Sequence, residues 1–221
     1  MTPPVVRHEI LVWDPLLRAL HGWNALTLFT QVVTGLTIEA TTGDAKRAII
    51  DIHAISGYAF AAGLATRLLW LVVGPATASW RDLLPLTPKQ RQVLAATLRS
   101  YLSGLRRPVP AYFGHNPLAA LAYLFYFVVA AGQVTAGVIL LGLPADQRDD
   151  SPLMECHETG FLLLIAFVAV HVLAVAVHQL HENKPLARSM ISGRKSFSSQ
   201  ELQEAAGLPG VPPQATPGEN Q

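Results

Sequence analysis

The sequence predicts an all-α integral membrane protein, a four-helix bundle with both termini in the cytoplasm. Only 14% of its 221 residues are charged and 51% are hydrophobic, whereas a typical soluble domain is about 25% charged. The apolar residues gather in four segments of about 20 residues or more, and each is long enough to cross a bilayer as a helix. The net charge of +1 argues against a nucleic-acid-binding surface.

The four predicted spans follow one another with polar connections between them. They are residues 17–38, 53–74, 116–143 and 157–180. The first is the weakest because polar residues such as Arg18 and Asn24 interrupt it, whereas the third carries no charge. Prolines fall at the ends of the spans, where they are tolerated as helix boundaries.

The connecting segments differ in charge, which predicts the topology. Residues 75–115 contain six Lys and Arg against one acid, and residues 144–156 contain four acids against one Arg. A further basic stretch, from Lys184 to Lys195, follows the fourth span. The positive-inside rule therefore places residues 75–115 and the segment after the fourth span in the cytoplasm, and the acidic segment outside.

The remaining features are the domain boundary and the single cysteine. Residues 1–195 are the predicted four-span domain, and residues 196–221, rich in Pro, Gly, Gln and Glu, are predicted to be a disordered cytoplasmic tail. No internal repeat is evident. Cys156 is the one cysteine. It cannot form an intrachain disulfide, and its context lacks the C-x-x-C-H pattern of covalent haem attachment.

Four histidines lie at matched depths in this topology. His157 begins the fourth span at the outer face, and His171 lies 14 residues further on, about 21 Å deeper on nearly the same helix face. His53 begins the second span, also at the outer face, and His21 lies near the cytoplasmic start of the first. The sequence therefore pairs His53 with His157 and His21 with His171.

Two facing imidazoles can occupy both axial positions of a haem iron. Such ligation leaves no open position on the metal and suits electron transfer rather than oxygen chemistry. A structural zinc site would need four ligands within a few ångströms, and no cysteine or carboxylate shares the depth of either pair. The pairs therefore predict two haems, one near each face of the membrane.

Small and charged residues flank these positions. Gly35 follows His21 by 14 residues, at the depth of the outer pair, where a missing side chain would admit a porphyrin. Gly57 and Gly160 lie one turn from His53 and His157. Arg67 follows His53 by 14 residues and is expected to pair with a haem propionate, although it could instead snorkel to the cytoplasmic interface. Arg18 is a second candidate for a propionate.

The other histidines are expected to be interface residues. They are His8, His115, His178 and His181. His178 lies two turns beyond His171 and is a competing candidate for the inner pair.

Five segments of the chain carry a resemblance to a known family. They read VWDPLLRALHGWNALTLFTQVVTGL (12–36), HAISGYAFAAGLATRLLWLVVGP (53–75), GHNPLAALAYL (114–124), HETGFLLLIAFVAVHVLAVAVH (157–178) and NKPLARSMISGRKS (183–196). Over about residues 8–196 the chain resembles the bacterial di-haem cytochrome b family, which includes the cytochrome b subunits of membrane-bound nickel–iron hydrogenases. More distant relatives are membrane subunits of formate dehydrogenases and thiosulfate reductases.

The resemblance implies a fold, a location and a set of ligands. It implies four spans in the bacterial inner membrane and two b-type haems, with His21, His53, His157 and His171 as iron ligands. It also implies electron transfer between quinone and a periplasmic redox partner, which would be a hydrogenase, a reductase or a cytochrome c. No catalytic residue is assigned, and the direction of electron flow stays open.

The expected partners are membrane lipid, quinone and the redox partner. Candidate quinone neighbours are Asn24, Arg18 and His115, although the GHNP turn at 114–117 could simply cap the third span. The acidic segment 144–156 could dock a basic partner. Two other functions remain open: a stand-alone quinol-oxidising homodimer, and a transporter or scaffold bundle whose histidines relay protons.

Overall fold

A computed structural model describes residues 7–148, 150–182 and 184–212. The order of its elements is β1 (Arg7–Leu11), α1 (Pro15–Ile38), α2 (Gly43–Val73), a 3-10 turn (Ala76–Ala78), α3 (Trp80–Leu83), α4 (Pro88–Leu102), α5 (Pro117–Gly142), α6 (Ala145–Arg148), α7 (Pro152–Glu182), α8 (Leu186–Ser192), β2 (Arg194–Ser198) and α9 (Ser199–Ala205). The chain is mostly helical, as the sequence predicts.

The four predicted spans correspond to α1, α2, α5 and α7, but α2 and α7 begin five or more residues earlier than predicted. Helix α2 begins at Gly43, so His53 lies almost three turns inside it. The residues before His53 are good helix formers, and Asp44 in the first turn interacts favourably with the helix N-terminus. Helix α7 begins at Pro152, directly after the acidic segment.

Three helices in the described part of the chain are long and apolar enough to cross a membrane. They are α2, α5 and α7, with mean hydropathies of 1.4, 2.1 and 2.8. No more than 17% of each apolar window is buried, so most of these side chains face outward, as lipid-facing residues do. Helix α1 has 24 residues, but its interrupting polar residues leave it less apolar than the other three.

The chain forms two compact units. The histidine unit consists of Ala19–Leu68 and Phe125–Ala174. The terminal unit holds both ends of the described chain, residues 7–18, 69–124 and 175–212.

The terminal unit contains a small antiparallel sheet that the all-α prediction did not include. Strands β1 and β2 pair with Arg7 opposite Ser198 and Leu11 opposite Arg194. Gly193 closes helix α8 in the left-handed conformation, with φ +79°, which favours glycine. Its carbonyl accepts hydrogen bonds from the backbone N–H groups of Val12 and Trp13, at 2.8 and 3.0 Å.

The prediction of disorder from residue 196 is wrong for residues up to 205. Phe197, Leu202 and Ala205 are buried in the core of the terminal unit, so this short stretch has enough apolar surface to pack. The side chains of Ser198 and Glu201 cap α9 reciprocally. Residues 213–221 of the predicted tail lie outside the described residues, as do Asp149 of the acidic segment and Asn183 of the last resembling segment.

The basic connection 75–115 also contains helices. Thr87 and Gln90 form a capping box at the start of α4, the longest helix of this connection. The side chain of Asn116 caps α5 by accepting from the backbone N–H groups of Leu118 and Ala119, at 2.9 and 3.4 Å. The GHNP turn therefore caps the third span.

The histidine unit is held together by a compact apolar core and by close helix contacts. Phe60, Leu64, Ala130 and Leu164 form the core. A Cβ at Gly63 would collide with the side chains of Asn24 and Trp23, so glycine allows α1 and α2 to approach closely.

Candidate functional site

Each of the two predicted histidine pairs is brought together within the histidine unit. The rings of His53 on α2 and His157 on α7 have centroids 6.2 Å apart and an interplanar angle of 75°. The rings of His21 on α1 and His171 on α7 have centroids 6.5 Å apart and an angle of 53°. The pairing that the sequence suggested from depth is therefore the pairing of the fold.

The ring separations fit a shared metal ion better than a direct contact. Metal–imidazole bonds are about 2.0–2.1 Å long, and the centroid lies ~1.1 Å from each ring nitrogen, so two axial imidazoles on one ion have centroids about 6.2–6.4 Å apart. A direct nitrogen–nitrogen hydrogen bond of about 2.9 Å would bring the centroids to ~5.1 Å. The observed 6.2 Å falls within the first range and 6.5 Å lies just above it, whereas both are well above the separation for a direct hydrogen bond.

A hydrogen bond orients the ring of His53. Its Nδ1 lies 2.8 Å from the hydroxyl of Thr34 on α1. That hydroxyl lies 2.7 Å from the carbonyl of Thr30 and donates to it, so it accepts from Nδ1–H. The ring is thereby held in the tautomer that leaves the Nε2 lone pair for a metal, which is the usual role of a second partner at a histidine ligand.

Two glycines flank the outer pair from neighbouring helices. A Cβ at Gly35 on α1 would lie 3.3 Å from the Phe161 ring and 3.8 Å from Cε1 of His53. A Cβ at Gly137 on α5 would lie 3.3 Å from Cε1 of His157. Gly35 was predicted from its spacing, whereas no feature of the sequence pointed to Gly137.

A Gln-x-x-x-Gly spacing precedes both members of the outer pair. Gln31 and Gly35 stand on α1, and Gln133 and Gly137 stand on α5. The Gln31 amide donates to the carbonyl of His53 at 2.6 Å, and the Gln133 amide donates to that of Cys156, next to His157, at 3.5 Å. The spacing is a short repeat that the sequence analysis missed.

Those glutamines also explain the two glycines that lie one turn from His53 and His157. A Cβ at Gly57 would touch the Gln31 amide at 3.5 Å, and a Cβ at Gly160 would collide with the Gln133 amide. In this structure both glycines make room for a glutamine from the preceding helix.

An aromatic ring lies beside the inner pair, and the histidine unit also contains a buried arginine. The Phe167 ring lies nearly parallel to that of His171, with centroids 6.0 Å apart. Arg67 is only 7% exposed, and its guanidinium lies 5.7 Å from the centroid of Phe127. An arginine that snorkelled to water would be exposed, so burial weighs against that alternative for Arg67.

The remaining candidate residues lie in the terminal unit. Arg18 donates to the carbonyl of Ile191, and its buried Nε has no hydrogen-bond partner among the described residues. His115 binds Asp82 through Nδ1 at 2.6 Å. His178 uses both ring nitrogens, Nε2 with Tyr101 at 2.5 Å and Nδ1 with Glu182 at 2.7 Å, so neither is free to compete for a metal.

The last two histidines are exposed. His8 lies 3.2 Å from the Ser199 hydroxyl, and His181 is near the end of α7. Across residues 7–148, 150–182 and 184–212, no three His, Cys, Asp or Glu side chains are clustered to hold a metal ion. The candidate ligands therefore form pairs rather than larger clusters.

Residues 12–193 match a protein family described as prokaryotic cytochrome b561. The chain is 26% identical to a probable Ni/Fe-hydrogenase B-type cytochrome subunit of Cupriavidus necator, over 84% of this chain and 86% of the relative. It is 27% identical to the protein of the same name in Bradyrhizobium diazoefficiens, over 87% and 88%. It is 28% identical to that of Azotobacter vinelandii, over 85% and 89%.

Proposed function

The chain belongs to the prokaryotic cytochrome b561 family, and we propose that it passes electrons through two bis-histidine haems between a nickel–iron hydrogenase and the quinone pool. A membrane cytochrome b of electron transport binds haem, and the geometry of the histidine unit suggests how many. The observation that carries the proposal is the pair of imidazole separations, 6.2 and 6.5 Å. Each is close to the separation expected if one iron were held between the two rings.

The chain's own residues would hold and tune the cofactors. One haem would be held by His53 and His157, and the other by His21 and His171. When bound, haem iron supplies reversible one-electron transfer, and bis-histidine ligation keeps oxygen from an open position. Thr34 fixes the tautomer of His53, while Gly35 and Gly137 leave space beside the outer pair. The apolar helix faces exclude water and thereby influence the reduction potential.

Two arginines are proposed to neutralise haem propionates. Arg67 is buried in the histidine unit, and a charged residue inside a membrane span usually has a functional role. Arg18 retains an unpartnered, buried Nε. A haem carboxylate would accept charge-assisted hydrogen bonds from either guanidinium.

We further propose four membrane crossings with both termini in the cytoplasm. Strand β1 precedes α1, strand β2 follows α7, and the two strands pair. Paired strands lie on the same side of a membrane, so the chain between them crosses an even number of times. With the three strongly apolar helices, α1 as a fourth span gives an even number, and its 24 residues reach about 36 Å.

The names of the relatives suggest the redox partner. A buried polar atom without a hydrogen-bond partner suggests the quinone site. The relatives' names place them with nickel–iron hydrogenases, so we propose that electrons flow from hydrogenase to quinone. Asn24 is the best candidate quinone neighbour because its buried Oδ1 has no hydrogen-bond partner among the described residues. Buried polar atoms are normally satisfied. His115 is less suitable because Asp82 already engages its ring.

Haem content of the purified protein tests the proposal. The pyridine haemochrome assay should give two b-type haems per chain. His171→Ala should lose one haem and retain the other, while His181→Ala, a change at an exposed histidine of the same helix, should retain both. Colourless wild-type protein would favour a transporter or scaffold, and an unchanged spectrum in His171→Ala would refute the proposed pairing.

A further inference from the structure

The two histidines of the outer pair face similar five-residue segments of neighbouring helices. The segments are QVVTG (31–35) on α1 and QVTAG (133–137) on α5. Each begins with a glutamine and ends with a glycine. A Cβ on the first glycine would lie near Cε1 of His53, and a Cβ on the second near Cε1 of His157. Each segment therefore presents the same end to one ring of the pair.

The segments differ in the position of their threonine. The fourth residue is Thr34 on α1 and Ala136 on α5, and both are 7% exposed. The Thr34 hydroxyl lies 2.8 Å from Nδ1 of His53 and 3.2 Å from the carbonyl of Gln31. It thus stands between the ring and the first carbonyl of its own segment. Ala136 offers no polar atom at the corresponding position.

The ring of His157 lacks the hydrogen bond that His53 has. A Cβ at Gly137 would lie 3.9 Å from Nδ1 of His157, so this nitrogen is on the side of the ring that faces α5. The backbone of Gln133 interacts with the ring, but not in hydrogen-bond geometry, because Nδ1 is buried and has no partner among the described residues. Buried polar atoms are normally satisfied, so the two rings of the outer pair differ in a specific contact.

The threonine of the second segment does not replace the missing contact. Thr135 is exposed, and its hydroxyl donates to the carbonyl of Ala131 at 2.9 Å. Adjacent residues of a helix point about 100° apart. The Thr135 hydroxyl therefore bonds its own helix, while position 136 points to the interior.

The correspondence is closer on α1 and α5 than on the helices that carry the ligands. Gln31 donates to the carbonyl of His53 itself, whereas Gln133 donates to that of Cys156, one residue before His157. The second ligand is thus shifted by one residue relative to its glutamine. Its ring nevertheless lies beside the glycine of the segment, as the ring of His53 does.

We propose that His53 and His157 are unequal donors to the outer haem, and that position 136 sets the reduction potential of that haem. The inference rests on the proposed function. An acceptor for Nδ1–H makes an imidazole a more basic ligand, and a more basic ligand favours ferric over ferrous iron. His53 has this support from Thr34. His157 lacks it beside Ala136, so the potential is higher than two supported imidazoles would give.

Redox titration of the purified, haem-loaded full chain tests the proposal. Ala136→Thr supplies the hydroxyl, and Ala136→Val supplies nearly the same bulk without it. Ala136→Thr should lower the midpoint potential of one haem relative to both Ala136→Val and wild type. A tenfold gain in preference for the ferric state corresponds to about 59 mV for one electron. Thr135→Val is the matched control, since it removes an outward-facing hydroxyl from the next position, and should change neither potential.

Two further variants identify the haem that responds. Thr34→Val removes the support of His53 and should raise the potential of the same haem that Ala136→Thr lowers. The two changes together should shift that potential back toward the wild-type value. In a His171→Ala background only the outer haem should remain, and its single potential should respond to Ala136→Thr.

The outcomes separate this inference from the proposed function. Equal potentials in Ala136→Thr and Ala136→Val, with two haems retained, overturn the inference and leave the proposed function standing. If both bulky variants lose a haem, Ala136→Ser decides, because it adds only one oxygen atom. A lowered potential in Ala136→Ser supports the inference, and an unchanged potential or a lost haem overturns it. An equal shift in Thr135→Val also overturns it, and a wild type that binds no haem overturns both proposals.

Discussion

At the scale of single residues, the hydrogen bond from Thr34 to His53 should control one haem. Thr34→Val removes the partner of Nδ1 while keeping the side chain's shape, so the ring loses its fixed tautomer. Loss of such a partner typically costs about 10–100-fold in metal affinity. We expect a lowered haem content or a shifted midpoint potential for one haem, measured by haemochrome assay and redox titration.

Two companion variants sharpen the test of Thr34. Thr34→Ser keeps the hydroxyl and should behave as wild type. Thr66→Val changes an exposed threonine that only bonds its own helix, at the carbonyl of Ala62, and should have no effect. Equal haem properties in all three variants would show that His53 does not need this contact.

A second residue-scale prediction concerns Lys195, the lysine of the SGRK sequence. Its ammonium donates to the carbonyl of Phe113 at 3.1 Å and also contacts that of Gly114, and it lies 4.7 Å from the centroid of Trp13. Burial lowers the pKa of Lys195 to about 8, against the opposing attraction of Asp82 and Glu182.

The sign of the pH dependence follows from that lowered pKa. Between pH 8 and the ordinary lysine pKa of about 10.4, the unfolded chain binds this proton and the folded chain does not. Folding stability therefore rises with pH across this window. In detergent, the melting temperature of the wild type should rise with pH across this window, and that of Lys195→Met should not show this rise. Parallel pH curves for the two proteins would contradict the prediction.

Some residues of the candidate site could be predicted from the sequence and others could not. The pairing of the four histidine rings could be predicted because depth and helical spacing are properties of one sequence segment at a time. Thr34, Gln31 and Gly137 could not, since their roles depend on which helix faces which. Gln31 looked like a polar interruption of a weak span. Only its bond to the carbonyl of His53 shows that it joins α1 to α2.

At the scale of elements, the contact between α5 and α7 depends on a missing side chain at Gly137. A Cβ there would already lie 3.3 Å from Cε1 of His157, so Gly137→Val should displace that ring and reduce the content of one haem. Gly132 is a matched control on the same helix, because nothing lies within 4 Å of a Cβ built there. The haemochrome assay gives the number of haems per chain in Gly137→Val and Gly132→Val. Equal haem contents in the two variants would argue against this role of Gly137.

Long helices were easier to predict than the small elements. Hydropathy placed α1, α2, α5 and α7 because each is dominated by its own composition. It missed β1, β2 and α9 because five-residue strands and a seven-residue helix have little local signal. Phe197 and Leu202 are buried in a core that they share with Val12 and Trp13. These contacts join residues from opposite ends of the chain, so a local sequence signal does not show them.

At the scale of the whole molecule, the single cysteine offers a test of the topology. Cys156 is exposed and lies near the start of α7, beside the acidic segment. With four crossings and cytoplasmic termini, this position faces the periplasm. A membrane-impermeant maleimide should label Cys156 in intact spheroplasts, and Cys156→Ser should abolish the labelling.

The opposite face requires a second, matched cysteine. Ser199→Cys in the Cys156→Ser background places a thiol at an exposed position at the start of α9, and it should react only after the membrane is opened. An N-terminal reporter should then report the same side as Ser199→Cys, because β1 pairs with β2. If α1 did not cross, the reporter would lie on the side of Cys156, and the paired strands would be on opposite faces of the bilayer. Such a result would exclude both the fourth span and the pairing of β1 with β2.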